Sequence, residues 1–424
     1  MAHRIQVPFG AAQIAFELPP GIETHVLPPR PVAPSADPHA EIERALESPL
    51  GSPRIEDVVR AGDRATVLVD DYTRATPAAL VLPHLLERIR RCGVPDDAIT
   101  LLVSTGTHRP MREEELCQKV GGAVFRRYET VQHDCLDRES QVFLGLTSRG
   151  TPVWVNRRAV ETDHLFGIGH IDPSDYAGYA GGRKLIVPGV AALETVDANH
   201  ALAALSFRRY GDIRLACRQD IDEAGALVPA ALFINLVLCQ DGQIARAFAG
   251  APEEIHPRGV ELARQVYEVD CPGPVDFCVA SAYPYDVDFY QAIRAVEYAD
   301  LIVRPGGSIL LAAPCPEGIG SQEFFRLLSG AEHSPADFLR RVARREGKVT
   351  YNVLGYFLAR ILEEKEVYGY LPGVPPAEAE AMGIHPVETL QGGIEQLLAR
   401  HGPRARAAVM PVGSATIPRL KPQG

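Results

Sequence analysis

Short apolar runs alternate with loops and helical segments along most of this chain. The runs at 65–70, 99–104, 164–169 and 231–239 are each followed by a polar or glycine-rich loop, and most then lead into a stretch with apolar residues at helical spacing. Repeated strand–loop–helix units are typical of a mostly parallel sheet with helices on both faces. The pattern therefore predicts the α/β class.

Two further features divide the chain. The opening residues alternate between apolar and polar side chains on either side of Gly10, which predicts a β-hairpin. A proline-flanked break at 267–274 precedes a second series of strands and helices, so we expect an N-terminal α/β domain at 1–270 and a C-terminal α/β domain at 271–400. The pattern leaves open which domain the segment 400–424 packs on, with the N-terminal domain as one choice. The last ten residues look like a polar tail.

The composition is that of a folded protein. Of 424 residues, 46% are hydrophobic and 23% are charged, which excludes wholesale disorder, collagen and coiled coil. The longest apolar runs are far shorter than the about 20 residues that cross a bilayer, and no apolar signal segment follows the first methionine. The net charge of −11 argues against nucleic acid as the main partner, because neutralising its backbone needs a basic face. We expect neither nucleic acid nor a membrane as a partner.

The cysteines also bear on the class of protein. There are eight, they are scattered, and no two have the C-x-x-C spacing of a structural zinc site. A chain of this length buries a sufficient core without disulfides. We therefore expect free thiols and a cytoplasmic location.

Polar clusters follow the predicted strands, at the strand ends where open α/β sheets bind their ligands. These residues are Asp71 and Arg74 after the first strand, Ser104, Thr105, Gly106 and His108 after the second, and His170, Ser174, Gly182, Arg183 and Lys184 after the third. If the sheet is parallel, all of them face one cleft. Their shared placement is a stronger argument than any one cluster.

Each cluster taken alone also has a plain structural interpretation. Gly182, Arg183 and Lys184 suit a phosphate, because glycine amides approach closely and the cations add charge, but the Walker spacing is absent and a solvated basic loop fits as well. His108 suits a proton carrier near neutral pH or a capping residue. His200, in a predicted helix, suits a lone metal ligand or a buried structural histidine.

Five motifs, in order, resemble the nickel-pincer lactate racemase family. They are DDYTRATP at 70–77, STGTHRPM at 104–111, the segment from GHIDP to YAGGRKLIVPG at 169–189, ANH at 198–200, and DVDFYQAIRA at 286–295. Any one of them is a weak signal, whereas five in order over roughly residues 1–400 are specific. The resemblance implies a two-domain α/β enzyme with mostly parallel sheets and an active-site cleft between the domains.

The resemblance also implies a cofactor and the residues that hold it. The cofactor is a nickel-pincer nucleotide, a Ni(II) pyridinium-3,5-bisthiocarboxylic acid mononucleotide, covalently linked to Lys184, with His200 as the imidazole ligand of the metal. The implied cofactor-binding residues are Asp71, Arg74, Ser104, Thr105, Gly106, Gly182 and Arg183. The implied substrate-binding residues are Arg74, Ser174, Tyr290, Gln291 and Arg294. Arg294 stands where the family has a lysine, which keeps the charge but alters the geometry.

The implied activity is racemisation or epimerisation of a 2-hydroxy acid by proton-coupled hydride transfer. A general base takes the hydroxyl proton while the C2 hydrogen leaves as hydride, which avoids a carbanion beside a carboxylate. His108 matches one of the two histidines that do this in the family. The other is missing, because the segment here reads Asp172-Pro173-Ser174. We hypothesise that His170, or a water held by Ser174, serves the second face.

Two other functions fit the same residues. One is a 2-hydroxy-acid oxidoreductase with a single catalytic histidine, and the other is a non-catalytic homologue that binds nickel or the nucleotide cofactor. The small side chain of Ser174 would also leave room for a bulkier substrate. The expected partners are a small-molecule 2-hydroxy acid and the enzymes that make the cofactor. The sequence does not indicate the oligomeric state.

Overall fold

The structure is a computed structural model that describes residues 3–330 and 334–421. Its strands within these ranges are β1 (His3–Phe9), β2 (Ala12–Leu18), β3 (Glu23–Val26), β4 (Ala65–Asp70), β5 (Ile99–Ser104), β6 (Glu129–Gln132), β7 (Gln141–Leu146), β8 (Pro152–Asn156), β9 (His164–His170), β10 (Pro173–Ser174), β11 (Gly178–Tyr179), β12 (Leu232–Leu238), β13 (Ile244–Gly250), β14 (Glu268–Cys271), β15 (Val275–Ser281), β16 (Val303–Ala312), β17 (Glu366–Tyr370), β18 (Ile384–Pro386), β19 (Arg406–Met410) and β20 (Ile417–Leu420). Its α-helices are α1 (Pro38–Glu47), α2 (Ile55–Val58), α3 (Ala78–Arg91), α4 (Glu113–Val120), α5 (Gly122–Arg127), α6 (Arg157–Val160), α7 (Leu193–Ala201), α8 (Ala216–Ala226), α9 (Pro252–Tyr267), α10 (Phe289–Asp300), α11 (Gln322–Leu328), α12 (Pro335–Arg344), α13 (Val349–Leu362), α14 (Pro376–Ala381) and α15 (Leu390–His401). Short 3-10 helices span Asp96–Ala98, Arg138–Ser140, Gly182–Leu185 and Leu202–Ser206.

The chain forms two compact units whose boundaries differ from the predicted domains. The first unit contains 31–202 and 212–265, and the second contains the described residues of 1–30, 203–211 and 266–424. The N-terminal residues join the second unit because β3 pairs with β19 in its sheet. The described residues from 400 onward belong to the second unit as well, so of the two domains left open for that segment it is the C-terminal one that holds it.

The first unit has a six-stranded sheet in the order β13-β12-β9-β4-β5-β6. All its neighbours run parallel except β12 and β13. Every residue of β4 is buried, as expected for a central strand covered on both faces. Asp70 is in register with Ser104 across β4 and β5, and Val69 is in register with Ile168 across β4 and β9. The carboxyl ends of these three strands therefore meet at one edge, as predicted.

The second unit has a six-stranded sheet in the order β18-β17-β16-β15-β19-β3, and its neighbours all run parallel. The predicted N-terminal hairpin is present as β1 and β2, with Phe16 packed in one apolar cluster with Phe277 and Ile394. The chain end is not a polar tail, because β20 pairs with β14 and Ile417 is fully buried. Residues 422–424, also part of that prediction, lie outside the described residues.

All eight cysteines are free thiols, as expected. Among the described residues, no helix combines the length and the apolar character needed to cross a bilayer.

Candidate functional site

His108 is held by a buried carboxylate at the edge of the first unit's sheet. Its Nδ1 lies 2.7 Å from Oδ2 of Asp71, which directly follows β4. The other oxygen of Asp71 accepts from the main-chain N–H and the hydroxyl of Thr73, at 3.1 and 2.6 Å. Burial alone would raise the pKa of Asp71, but the charge and hydrogen bond of His108, together with Thr73, lower it below its usual value. Since a carboxylate only accepts, Nδ1 of His108 carries a proton and Nε2 of the neutral ring keeps a lone pair.

His170, the last residue of β9, lies in a buried polar network. The hydroxyl of Thr76 donates to Asp70, so in its other contact, 2.7 Å from Nδ1 of His170, the imidazole is the donor. Nε2 of His170 faces Oδ1 of Asp172 at 3.5 Å, and Lys119 pairs with Asp70 at 2.7 Å. The His170 side chain is only 3% exposed. Both ring nitrogens thus face protein groups.

The predicted tether lysine follows a tightly packed glycine loop, residues 178–182. Gly181 and Gly182 have left-handed backbone conformations, with φ of +82° and +59°. A Cβ atom at Gly181 would lie 2.7 Å from Cγ1 of Ile171, so no larger residue fits there. The loop leads directly into the 3-10 helix that carries Lys184.

The imidazole of His200 is oriented by the main chain of its own helix, α7. Nδ1 lies 2.9 Å from the carbonyl oxygen of Val196, so Nδ1 carries the proton and Nε2 has a lone pair. The ring of Tyr176 packs edge-on against it at 5.0 Å between centroids. Burial, and after it the charge of Lys184, lowers the pKa of His200 to about 4. A neutral imidazole with a fixed tautomer is the form that binds a metal ion.

The predicted tether, ligand and base lie close enough to influence one another. Burial has the largest effect on the pKa of His200, but the charges of Lys184 and His108 also lower it and the charge of Asp175 raises it. Burial likewise raises the pKa of the Cys217 thiol to about 12, with Lys184 and Asp175 acting on it in opposite directions. Because Coulomb interactions weaken with distance, these effects mark a cluster in one region of the first unit.

Three predicted cofactor-binding residues use their side chains to bond to the protein itself. The Ser104 hydroxyl donates to the carbonyl oxygen of Leu185 at 3.0 Å. The Thr105 hydroxyl donates to the carbonyl oxygen of the residue that follows β6, at 2.5 Å. Arg183 donates to Glu253 on α9 at 2.8 Å. These contacts tie the loop after β5 to the tether helix, and they favour an indirect role for the three side chains.

Two further predicted residues lie beside these. Gly106 has φ of +56°, and its N–H donates to the carbonyl oxygen of Gly189 at 2.9 Å, which links the two loops a second time. Arg74 is half-buried, and its positive charge is one of the causes that lower the pKa of Asp71. Arg74 thus lies in the charge environment of the residue that holds His108.

Ser174 stands where the family resemblance implies a histidine. It pairs with Gly178 across β10 and β11, and it is 3% exposed. Its hydroxyl oxygen accepts from the N–H of Ala177 at 3.4 Å. The next residue, Asp175, is the buried carboxylate that acts on His200. A small hydroxyl group therefore belongs to the same loop region as the predicted tether.

The predicted substrate residues Tyr290, Gln291 and Arg294 share the first turns of α10 in the second unit. Asp288 caps this helix and accepts from the N–H of Gln291 at 2.8 Å. The guanidinium of Arg294 lies 4.5 Å above the ring of Tyr285. Arg294 comes three residues after Gln291 and four after Tyr290, so it is a neighbour of each of them on the surface of the helix.

Three residues that the sequence analysis did not single out contact the loop 178–182. They are Arg218 on α8, Asn235 on β12 and His256 on α9. Only Asn235 carries a sequence signal, since it interrupts an otherwise apolar strand. The other two depend on how distant helices pack.

Residues 3–330 and 334–421 contain no group of three or more His, Cys, Asp or Glu side chains arranged to hold a metal ion. This concerns metals bound by side chains alone. The cofactor implied by the resemblance needs one imidazole from the protein.

Comparison with known proteins gives the same family for both halves of the chain. The family model described as the lactate racemase N-terminal domain matches residues 9–209, and the model described as the lactate racemase C-terminal domain matches residues 272–417. A lactate racemase from Lactiplantibacillus plantarum is 30% identical over 384 residues, which are 89% of this chain and 90% of the relative. A lactate racemase from Thermoanaerobacterium thermosaccharolyticum is 29% identical over 348 residues, 80% of this chain and 81% of the relative.

Solved structures extend the likeness to the fold. The lactate racemase apoprotein from Thermoanaerobacterium thermosaccharolyticum superposes with a TM-score of 0.87 at 27% identity, covering 98% of this chain and all of that one. A protein from Thermotoga maritima has a TM-score of 0.73 at 19% identity, covering 92% of this chain and all of that one, which bears on the fold alone.

Proposed function

Since the chain belongs to the lactate racemase family, we propose that it is a racemase or epimerase of a 2-hydroxy acid that works with a nickel-pincer nucleotide. The observation that carries this proposal is the environment of His200. Its imidazole is buried and fixed by Val196, and it feels the charges of both Lys184 and His108. A metal ligand, a tether and a proton carrier in one neighbourhood are what such a cofactor requires.

The residues of the first unit fit this cofactor. Lys184 would hold it covalently, and Nε2 of His200, which has a lone pair, would be its imidazole ligand to nickel. Arg74 would pair with the nucleotide phosphate or the substrate carboxylate through its planar fork. The chemistry that the bound cofactor supplies is reversible acceptance of a hydride.

His108 would move the proton that accompanies this hydride. With Nδ1 bonded to Asp71, its Nε2 is the nitrogen that accepts the hydroxyl proton of the substrate. Asp71 would act as a positioning residue that fixes the tautomer and stabilises the imidazolium. The cofactor-binding role that the resemblance implies for Asp71 stays a prediction beside this positioning role. The His108 side chain is 24% exposed, which suits a group that meets a substrate.

For the second face of the substrate, the contacts favour a water held by Ser174 over His170. His170 donates to Thr76 through Nδ1 and faces Asp172 through Nε2, so it holds the ends of β4 and β9 together. Ser174 has no comparable role in the network and offers a hydroxyl group that can orient a water. A serine alone is too weak a base, so the water and its surroundings carry the proton.

Tyr290, Gln291 and Arg294 are the proposed substrate contacts on α10. Tyr290 and Gln291 can donate hydrogen bonds, and Arg294 can pair with a carboxylate. Its fork differs from an ammonium group and binds a carboxylate through two parallel bonds. The small side chain of Ser174 favours a substrate larger than the simplest 2-hydroxy acid.

A second candidate function is a 2-hydroxy-acid oxidoreductase that uses His108 alone. It is favoured by the buried network of His170, which leaves one accessible histidine in this cluster. Such an enzyme would release a 2-keto acid, whereas a racemase returns the hydride to the other face.

The experiment that separates these functions is a screen of enantiopure 2-hydroxy acids with nickel-loaded protein. The proposal predicts loss of optical rotation with no keto acid released, and loss of the signal in His108→Ala. Stoichiometric keto acid with no change in the remaining enantiomer would favour the oxidoreductase. No change of any kind by well-loaded protein would contradict both enzyme functions.

A further inference from the structure

Residues 178–182, which precede the tether helix, are held by side chains from three other elements. Main-chain groups in regular structure bond to one another. The first two residues of this segment do so as β11, which pairs with β10, but residues 180–182 lie beyond that strand and include two left-handed glycines. Here consecutive peptide groups find side-chain partners on α8, β12 and α9. We infer that Arg218, Asn235 and His256 form a cradle of positioning residues that fixes this loop and thereby places Lys184.

Arg218 is the centre of the cradle. Its side chain is 2% exposed, and its Nη1 donates to the carbonyl oxygens of Gly181 and Tyr179 at 3.2 and 3.4 Å. Nε and Nη2 both donate to Asp222, one turn along α8. A buried guanidinium is costly unless it is paired and its donors are used. The pair with Asp222 meets the first requirement, and the loop carbonyls meet the second.

Asn235 and His256 complete the set. Oδ1 of Asn235 accepts from the N–H of Gly182 at 2.8 Å, and Nε2 of His256 donates to the carbonyl oxygen of Ala180 at 3.0 Å. Burial, reinforced by the charge of Arg218, keeps the pKa of His256 well below its ordinary value, so the ring stays neutral and has one N–H to donate.

Steric contacts reinforce these bonds. A Cβ at Gly182 would lie 2.9 Å from Nη2 of Arg218 and 3.1 Å from Cβ of His256, so the loop backbone touches both side chains. Gly225 of α8 leaves room for Arg183, because a Cβ atom at Gly225 would lie only 2.7 Å from Cβ of Arg183. The segment that carries Lys184 is thus in close contact with both α8 and α9.

The cradle's purpose depends on the proposed function, since a tethered cofactor needs its amine in one place. Its existence as a positioning device can be tested without cofactor. Full-length protein is pulse-labelled with an acetylating reagent, and the labelling of Lys184 is read by peptide mass spectrometry against Lys348 as internal reference. Arg218→Met should label Lys184 at least about fivefold faster, because the freed loop opens locally. In Arg218→Lys, whose side chain can still donate to one carbonyl, the labelling rate of Lys184 should lie between those of wild type and Arg218→Met.

The matched control is Arg88→Met. Arg88 is also a buried arginine of the first unit, 7% exposed at its side chain, but it pairs with Glu43, Glu47 and Glu56 instead of the loop. Arg88→Met should lower the melting temperature about as much as Arg218→Met does, and it should leave the labelling rate of Lys184 unchanged. If Arg218→Met is too unstable to purify, Asn235→Leu removes the acceptor for Gly182 and should give the same increase. If Lys184 is labelled at the wild-type rate in Arg218→Met and Asn235→Leu, the inference of a cradle is wrong.

A second readout links the cradle to the cofactor. In protein co-produced with the cofactor-making enzymes, Arg218→Met should reduce the fraction of molecules with an adduct on Lys184 by about tenfold or more, while Arg88→Met should not. Full tethering in Arg218→Met contradicts the inference. If wild-type protein carries no adduct, it is the proposed function that fails, and the labelling comparison still decides the cradle.

Discussion

Nδ1 of His108 lies 2.7 Å from Oδ2 of Asp71, and the carboxylate is itself held by two bonds from Thr73. This pair turns a half-exposed histidine into an oriented base, because the proton on Nδ1 is bound and Nε2 is the nitrogen left to react. The resemblance implies that Asp71 binds the cofactor, and its contacts add a proposed role in orienting the base.

Replacing Asp71 by Asn should lower the racemisation rate by about 100-fold, since the amide offers no charge to stabilise the imidazolium. His108→Ala should abolish turnover. Both variants should keep the wild-type nickel content, measured by elemental analysis, because neither residue is a metal ligand in this account. Racemisation at the wild-type rate in His108→Ala would remove this histidine from the mechanism.

His170 and Ser174 make opposite predictions for the second face. His170→Asn should lower the melting temperature, because it breaks the hydrogen bond to Thr76 and removes the contact with Asp172, while racemisation of folded protein stays within about tenfold of wild type. Ser174→Ala should leave the melting temperature within a few degrees and slow racemisation by about 100-fold. Initial rates from both enantiomers and thermal melts check this. A fully active Ser174→Ala with an inactive, stable His170→Asn would reverse the two roles.

Loss of the imidazole at 200 should cost the protein its nickel. His200→Ala should retain at least about tenfold less nickel than wild type after gel filtration of loaded protein. His133→Asn is the matched control, since His133 is also a buried histidine of the first unit but its Nε2 bonds to the carbonyl oxygen of Ala191. Equal nickel retention in wild type and His200→Ala would rule out His200 as the ligand.

The buried His256 predicts a particular dependence of stability on pH. Its folded pKa lies well below the ordinary value of 6.5, so as pH falls through 6.5 the unfolded chain gains a proton that the folded chain refuses. Stability is therefore lost on the acid side, by about 1 kcal/mol between pH 7.5 and 5.5 for this one group. That corresponds to roughly 2–4 °C in melting temperature for a unit of this size.

The comparison variant is His256→Gln, whose amide can still donate to Ala180. Its melting temperature should fall less than that of wild type between the two pH values, by the same few degrees. A parallel fall in both proteins would mean that His256 titrates normally in the folded state.

The sequence predicted those site residues that belong to a short local pattern, such as a strand end or a motif. The apolar run of β4 and the polar residues after it placed Asp71 and Arg74 at a strand end, and the sheet register brings that end beside Ser104. Short motifs pointed to His108, Lys184 and His200. In the structure, the charges of the first two both lower the pKa of His200.

The parts that the sequence could not predict depend on packing between distant segments. Nothing in the run around Arg218 indicates that it reaches the carbonyl of Gly181, 37 residues earlier. His170 stands at a strand end as a base would, yet Asp70 at the end of β4 and Thr76 in the loop after it enclose its ring. The chain end looked polar, but β14 accepts it as a strand neighbour.

The proposed function depends above all on Lys184 carrying the cofactor in the neighbourhood of His200. This is tested by intact-mass and peptide mass spectrometry of wild-type protein and Lys184→Ala, each co-produced with the cofactor-making enzymes. We expect a nucleotide-sized adduct on the peptide that contains Lys184 in active wild-type protein, and none in Lys184→Ala. An unmodified Lys184 in protein that racemises a 2-hydroxy acid would rule out the tether.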